Sequence, residues 1–396
     1  MKIIYDVAVI GAGPAGTSAA EVTARNDLHT LVLDRRRKVG APVQCGELIP
    51  TPSEARRLFP NSTRMSKAVN VPAEFITNQT QVIRLISPNG KSFEFPFEAN
   101  IVDRSRYDQY LADSAENVGA EIQLDSTVIN RSITNELKVK TKNSVQTINS
   151  RLVIGADGSK SVVARSLGPR FIQPESDLSP ALQYVMSDVD IDPTIVEMYF
   201  GSSIAPGGYA WVIPKGEGIA NIGFGMRRSI GGDMTPLKRY IERFAFNTLA
   251  QKTKNAKILQ RVGAIIPVGG PLKTTWSNNV ILVGDAAGHV MASNGGGIPT
   301  ALCGGQIAGE NVVNHLTKNA SLSLYERKWR SEYGLELETA LQVLRVADTV
   351  MPSDTLTDIC MNLAGVRFLE PLIRCRLPLP ISLASKTLVK ALNWFL

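Results

Sequence analysis

Histidine and cysteine are scarce in this 396-residue sequence: three and four residues, with no C-x-x-C pair. Cys45, Cys303, Cys360 and Cys375 are scattered, so neither a disulfide framework nor a zinc site is expected, and a reducing, cytoplasmic setting follows. No apolar run reaches the roughly 20 residues that span a bilayer. The opening MKIIYDVAVIGAGPAG enters a strand at once, leaving no room for the charged, apolar and cleavage regions of a secretory signal. Repeats and low-complexity stretches are also missing. Acidic residues fall short of basic ones, giving a net charge of +7 and raising the question of an anionic partner. No recognition helix, finger or RNP-like stretch is found, which argues against nucleic acid. The densest basic patches, DRRRKVG (34–40) and RFLEPLIRCRLP (367–378), read as solvated faces, leaving membrane phosphate as the other anionic surface.

What the chain does carry is clearest at its start. YDVAVIGAGPAGTSAAEVTA reads as a buried strand, a Gly11-Ala12-Gly13-Pro14-Ala15-Gly16 turn and an Ala-rich helix. Gly11 permits the tight turn, Gly13 lets backbone approach a pyrophosphate, and Gly16 allows the helix to pack closely on the sheet. The helix N-terminus offers free N–H donors to phosphate. A second strand, HTLVLD, ends at Asp34, where a carboxylate can hold ribose hydroxyls. This combination predicts a bound dinucleotide.

Two further strand–turn–helix segments distinguish which one. RLVIGADGSKSVVARSLG (151–168) carries an Asp157-Gly158 turn, and NVILVGDAAGHVMASNGGGIPTALCGG places Asp285 after a strand and Gly295-Gly296-Gly297-Ile298 before a helix. Asp285 can bond a ribityl or ribose hydroxyl, and the N–H groups of Gly297 and Ile298 can face a flavin's pyrimidine edge. Three such segments in this order resemble the FAD-binding pattern of the family that includes para-hydroxybenzoate hydroxylase. The resemblance implies an α/β chain, α+β overall: a Rossmann-like FAD-binding domain interleaved with an antiparallel-sheet substrate domain, then a C-terminal helical region.

Within that superfamily, Pro42 to Glu47 resemble the P-V-x-C-G-E segment of geranylgeranyl reductases, YAWVIPKGEGIANIGFG resembles their Y-x-W-x-F-P-K-G signature with Ile213 where Phe is usual, and VDRSRYDQYLAD resembles their R-x-x-F/Y-D-x-x-L helix. YERKWRSEYGLEL (325–337) is similar to the helix that follows their FAD domain. These enzymes hydrogenate isoprenoid double bonds, and the chain length suits archaeal members acting on ether-lipid precursors. The resemblance implies flavin contacts at Ala15, Arg35, Cys45, Gly46, Leu48, Arg104 and Val128. It makes Cys45 the candidate proton donor and Glu47 its orienting partner or an alternative donor. Tyr209, Trp211 and Ile213 alternate along a strand and so share one face; with Pro214 they are candidates for the wall of a dry, apolar substrate pocket, or else plain sheet packing. His289 is expected near phosphate or capping a helix.

The expected boundaries are 1–60, 100–168 and 272–320 for the FAD domain, 61–99 and 169–271 for the substrate domain, and 321–396 for the helical region. ISLASKTLVKALNWFL at the C-terminus has a basic amphipathic pattern that suits either a membrane interface or docking on its own domain. An external electron donor, ferredoxin or NAD(P)H, is expected. The alternatives are a flavin-dependent halogenase, whose W-x-W-x-I-P signature YAWVIP approaches, an aromatic-ring monooxygenase, and a flavin-dependent sensor or lipid-binding module without turnover.

Overall fold

The computed structural model describes residues 4–227 and 236–376. Val7–Ile10 form an uninterrupted buried run because the strand Ile4–Ile10 sits inside a largely parallel sheet, paired in parallel with Thr30–Leu33 on one side and Val145–Gly155 on the other. The sheet order is Trp276–Ser277, Val280–Leu282, Val145–Gly155, Ile4–Ile10, Thr30–Leu33, Glu121–Gln123; the hairpin Thr127–Arg131/Glu136–Lys140 joins it through Val145–Gly155.

Small residues set the approach of the helices to this sheet. A Cβ at Gly16 would lie 1.8 Å from the Gly11 carbonyl oxygen, so no larger residue fits where the helix Pro14–Arg25 meets the turn. The same helix packs on Ile298–Lys318, where a Cβ at Gly305 would lie 2.3 Å from the Ala15 carbonyl oxygen. Both helices therefore bring their N-termini to one region at the carboxyl ends of the parallel strands, where open α/β sheets bind ligands.

The second sheet runs Lys257–Pro267, Leu178–Ser187, Ile219–Gly225, Tyr209–Gly216, Ile195–Tyr199, Ile76–Ile86, Ser92–Val102, Leu48–Pro50. It is antiparallel except where Ile195–Tyr199 meets Ile76–Ile86 in parallel. One face buries Ala210, Val212, Ile222 and Phe224 against Ile241 and Phe244. The helix that supplies them, Leu237–Arg243, widens after Arg243 into a π-turn, Phe244–Thr248. Leu48–Pro50 joins this sheet and carries the preceding loop, residues 44–47, across from the nucleotide side.

The C-terminal helices are fastened by aromatic side chains whose polar tips find partners. Tyr325 and Trp329 are fully buried; the Tyr325 hydroxyl donates to the Leu282 carbonyl at 2.8 Å and Trp329 Nε1 donates to Thr275 Oγ1 at 2.9 Å. His289 lies in this cluster, its ring 4.4 Å from that of Trp329 and its Nδ1 3.2 Å from the Tyr333 hydroxyl. Burial pushes its pKa down to about 3. His289 thus packs as a neutral core residue rather than facing phosphate or capping a helix. Helices Leu335–Val350 and Asp354–Ile373 then cover the second sheet, and the last turn is clamped by Arg374, which pairs with the buried Glu54 at 2.7 Å. The amphipathic segment 381–396 lies outside the described residues.

Candidate functional site

Where the two helix N-termini converge there is a cavity of about 290 Å³, bounded by Gly13, Ala15, Arg104, Asp285, Gly297 and Ile298. Neither Gly13 nor Gly297, the N-cap residues, supplies a side-chain cap, so first-turn N–H groups of both helices are open to a ligand. A Cβ at Gly13 would meet nothing within 4 Å: the turn faces open space. Asp285 lines this cavity half-buried, and among the described residues no side-chain or backbone donor reaches its carboxyl group. Desolvation raises its pKa to about 6, opposed by the charge of Arg104. A carboxylate without a protein donor, beside two uncapped helix ends, fits a ligand bearing both hydroxyl and phosphate groups, as FAD does.

The loop Gln44–Glu47 forms the next wall, held by side chains reaching across from the second sheet. Gln183 Nε2 donates to the Cys45 carbonyl at 3.0 Å, and Asn221 Nδ2 donates to the Gly46 carbonyl at 3.1 Å. Glu47, in the left-handed region at φ 66°, is fixed by Asn221 Nδ2 at 2.9 Å and by an ion pair with Lys215. Its Oε1 also accepts from the Arg104 backbone N–H at 3.3 Å. With its carboxylate occupied in this way, Glu47 shapes the loop. Cys45 Sγ accepts from the Glu47 N–H at 3.1 Å. Burial raises the thiol's pKa above its ordinary value, with Arg104 and that N–H opposing, so Cys45 is a protonated thiol at neutral pH. Arg104 itself is braced by a two-pronged pair with Asp108, 2.6 and 2.7 Å.

Tyr209, Trp211 and Ile213 share one face, as their alternation predicts, and that face looks toward the Cys45 loop. Together they line a second cavity of about 200 Å³ with Cys45, Glu47 and Leu48. Tyr209 and Trp211 also border a third, of about 280 Å³, enclosed by apolar side chains of the sheet and the C-terminal helices. Trp211, Gly295 and Ile266 are walls of all three. The indole lies across the neighbouring strand directly over Gly223, with Nε1 donating to Gln183 Oε1 at 3.0 Å, and the Tyr209 hydroxyl donates to the Asn294 carbonyl at 2.5 Å.

Other expected positions fall elsewhere. Asp34 is buried with its lone pairs taken by the Ala12 N–H at 2.7 Å and by the backbone N–H, Nε and Nη2 of Arg36 at 2.8 to 3.0 Å, so a ribose hydroxyl could reach it only if Arg36 swung away. Asp157 caps the helix Val162–Ser166 through the Val162 N–H and Ser161; its neighbours Ala156 and Gly158 line the first cavity and Asp157 does not. Pro214 occupies the opposite face of its strand from Ile213 and lines none of the three cavities, because strand side chains alternate. Val128 packs in the core with Leu137 and Val139, and Arg35 is exposed. The Gly296 N–H is taken by Asn294 Oδ1, leaving those of Gly297 and Ile298 as the open donors of that turn. Gln183, Asn221 and Lys215 were not singled out by sequence; Asn221 and Lys215 stand in the quoted signature, whereas nothing local marks Gln183.

Comparisons with known proteins agree with this geometry. A family model described as the geranylgeranyl reductase catalytic domain matches residues 177–266, the stretch holding Gln183, Trp211 and Asn221. An NAD(P)-binding Rossmann-like domain model matches residues 9–58. The chain is 33% identical over 383 residues to a digeranylgeranylglycerophospholipid reductase of Methanosarcina acetivorans, covering 93% of this chain and 90% of that one. With the reductase of the same name from Methanocaldococcus jannaschii it shares 32% identity, covering 87% of each. Among solved structures it is similar to a geranylgeranyl bacteriochlorophyll reductase-like protein of Thermoplasma acidophilum, with TM-score 0.81 and 27% identity over 98% of this chain and all of that one. A flavin-dependent brominase, at TM-score 0.73 and 15% identity over 98% of this chain and all of that one, shares the fold alone.

Proposed function

The chain belongs to the geranylgeranyl reductase family, and on that premise we propose that it is an FAD-dependent oxidoreductase hydrogenating carbon–carbon double bonds in the geranylgeranyl chains of archaeal-type ether-lipid precursors. The observation that carries this reading is the shared wall: Trp211 and the Cys45 loop stand between a cavity whose helix N-termini and Asp285 suit FAD and apolar cavities suited to an isoprenoid chain. FAD, once reduced, supplies the two electrons and one hydrogen. The residues of the chain do the rest. Gly13, Asp285 and the N–H groups of Gly297 and Ile298 would hold the cofactor, with Arg104, braced by Asp108, on the wall of the same cavity. Tyr209, Trp211 and Ile213 fix the alkene and exclude water, which would otherwise compete for the proton and solvate developing charge. The remaining proton comes from Cys45 Sγ, held at the cavity by Gln183 and the Glu47 N–H.

The electrons reach the enzyme from an external donor, ferredoxin or NAD(P)H. No described helix is long and apolar enough to cross a membrane. The net charge of +7, with Leu356, Ile359 and Leu363 exposed on the helix that covers the third cavity, supports peripheral contact with an anionic bilayer from which the substrate is drawn.

An anaerobic assay tests the activity: protein reduced with dithionite is given digeranylgeranylglyceryl phosphate while flavin absorbance and lipid mass are followed. Reoxidation matched by mass gains of two hydrogens is expected; flavin that stays reduced until oxygen enters would favour the halogenase or monooxygenase chemistry instead. The cofactor assignment has its own test. A hydrogen bond to a charged group is worth about 1.5–3 kcal/mol, so Asp285→Ala should weaken FAD binding roughly ten- to a hundredfold in an apoprotein titration. Unchanged affinity would remove Asp285 from the cofactor site.

A further inference from the structure

The third cavity is apolar on nearly every side, with Met198, Phe200, Val268, Leu344, Met361 and Leu372 among its walls, yet an arginine is part of its lining. Arg227, 4% exposed, is the one charged side chain among its described lining residues. Its Nη2 donates to Asp348 Oδ2 at 3.2 Å and to Asp177 Oδ1 at 3.4 Å; Asp177 is shared with Arg345 at 3.7 Å. Two cations and two carboxylates leave the cluster near neutral. Nε and Nη1 of Arg227, carrying three of its five N–H groups, meet no acceptor among the described residues.

The other buried arginines among the described residues leave neither of these nitrogens open: Arg131 donates through Nε to Ser166 Oγ and through Nη1 to Asn135 Oδ1, and Arg374 donates through Nε to Glu54 and through Nη1 to Glu370. Arg227 instead presents one nitrogen to both carboxylates and leaves its other donors unpaired beside a greasy cavity, a state buried donors rarely keep without a ligand. An isoprenoid lipid lying in this cavity has hydrogen-bond acceptors only at its polar end, in phosphate, hydroxyl or ether oxygens. We infer that Arg227 anchors the oxygen-bearing polar head of the lipid, fixing how far its chain extends toward Trp211 and Cys45. This inference rests on the prenyl reductase reading.

The test uses Arg227→Lys, which keeps a cation beside Asp177 and Asp348 but loses the free Nε and Nη1 donors; Arg227→Met combined with Asp348→Asn serves if that variant folds poorly. kcat and KM are measured with digeranylgeranylglyceryl phosphate, geranylgeraniol and an oxygen-free polyene of the same chain. The anchor predicts a KM about tenfold higher for the two oxygen-bearing lipids, kcat within about twofold, and no change for the polyene. A larger loss for the phosphate than for the alcohol identifies an ionic head, and equal losses identify a neutral oxygen. Uniform changes across all three substrates, or none, overturn the anchor. Should the wild type reduce none of them, the prenyl reductase reading fails, and tryptophan fluorescence quenching by the same lipids still reports whether Arg227 selects for an oxygenated head.

Discussion

Cys45→Ser is expected to keep its FAD and to reduce the isoprenoid double bond at least a hundredfold more slowly than the wild type. An isolated alkene accepts a hydride poorly unless a proton is delivered to the other carbon, and a positioned general acid contributes typically 10²–10⁴-fold. The thiol meets the requirements of that acid: it borders both the cofactor cavity and the adjacent apolar one, and burial keeps it protonated. A serine hydroxyl is close in shape but a far weaker acid, so flavin absorbance and melting temperature should hold while turnover collapses. The pH dependence has a defined sign. The working form is the protonated one and its pKa lies above the ordinary thiol value of 9.0, so the rate should not fall from pH 7 to 9 on account of this group, declining only at higher pH. Full activity in Cys45→Ser would remove Cys45 from the chemistry, and a rate that drops through pH 7–8 would mean that another group titrates.

The features legible in the sequence are those whose partners lie close along the chain. The Gly11–Gly16 turn and the Asp285 and Gly297 segment are each a strand end and a helix start, so spacing alone brings their donors together. Asp157 follows a strand as Asp285 does, but Ser161 and the Val162 N–H stand within five residues of it and claim its carboxylate. Asp34 meets the same fate two residues on, at Arg36. Such local competition is visible in sequence only if every nearby donor is counted before a ligand is assigned. Pro214 illustrates a different limit: the alternation that puts Trp211 and Ile213 on the cavity face puts Pro214 on the other. The supports of the Cys45 loop were illegible for a physical reason. Gln183 lies 138 residues from Cys45 and Asn221 lies 174 from Glu47, contacts created by strand order rather than periodicity. The buried His289 belongs with them, since only the folded chain brings Trp329 and Tyr333 around it.

Strand order also leads to the second large effect, at a residue that touches neither cavity chemistry nor cofactor. Trp211 and Gly223 are direct cross-strand partners, and the indole lies so flat over Gly223 that an added Cβ would fall 2.5 Å from Cζ2 and 2.8 Å from Nε1. Gly223→Ala should therefore lift the ring into the cavity it borders, break its bond to Gln183 and release the hold of Gln183 on the Cys45 carbonyl. Overpacking of this kind typically costs 1–3 kcal/mol, and a misplacement of about 1 Å near the reacting atoms is worth as much as a hundredfold in rate. We expect kcat/KM for the isoprenoid substrate to fall roughly ten- to a hundredfold, with FAD retained and the tryptophan emission shifted. Gly225→Ala is the control on the same strand: there the Cβ would sit 3.8 Å from the same ring, an ordinary contact, and activity should stay within about twofold. Because neither glycine has a positive φ, alanine strains the backbone at neither site, and a difference between the two variants isolates the position of the indole. Equal activity in both would mean that the Trp211 ring does not set the geometry of the reaction.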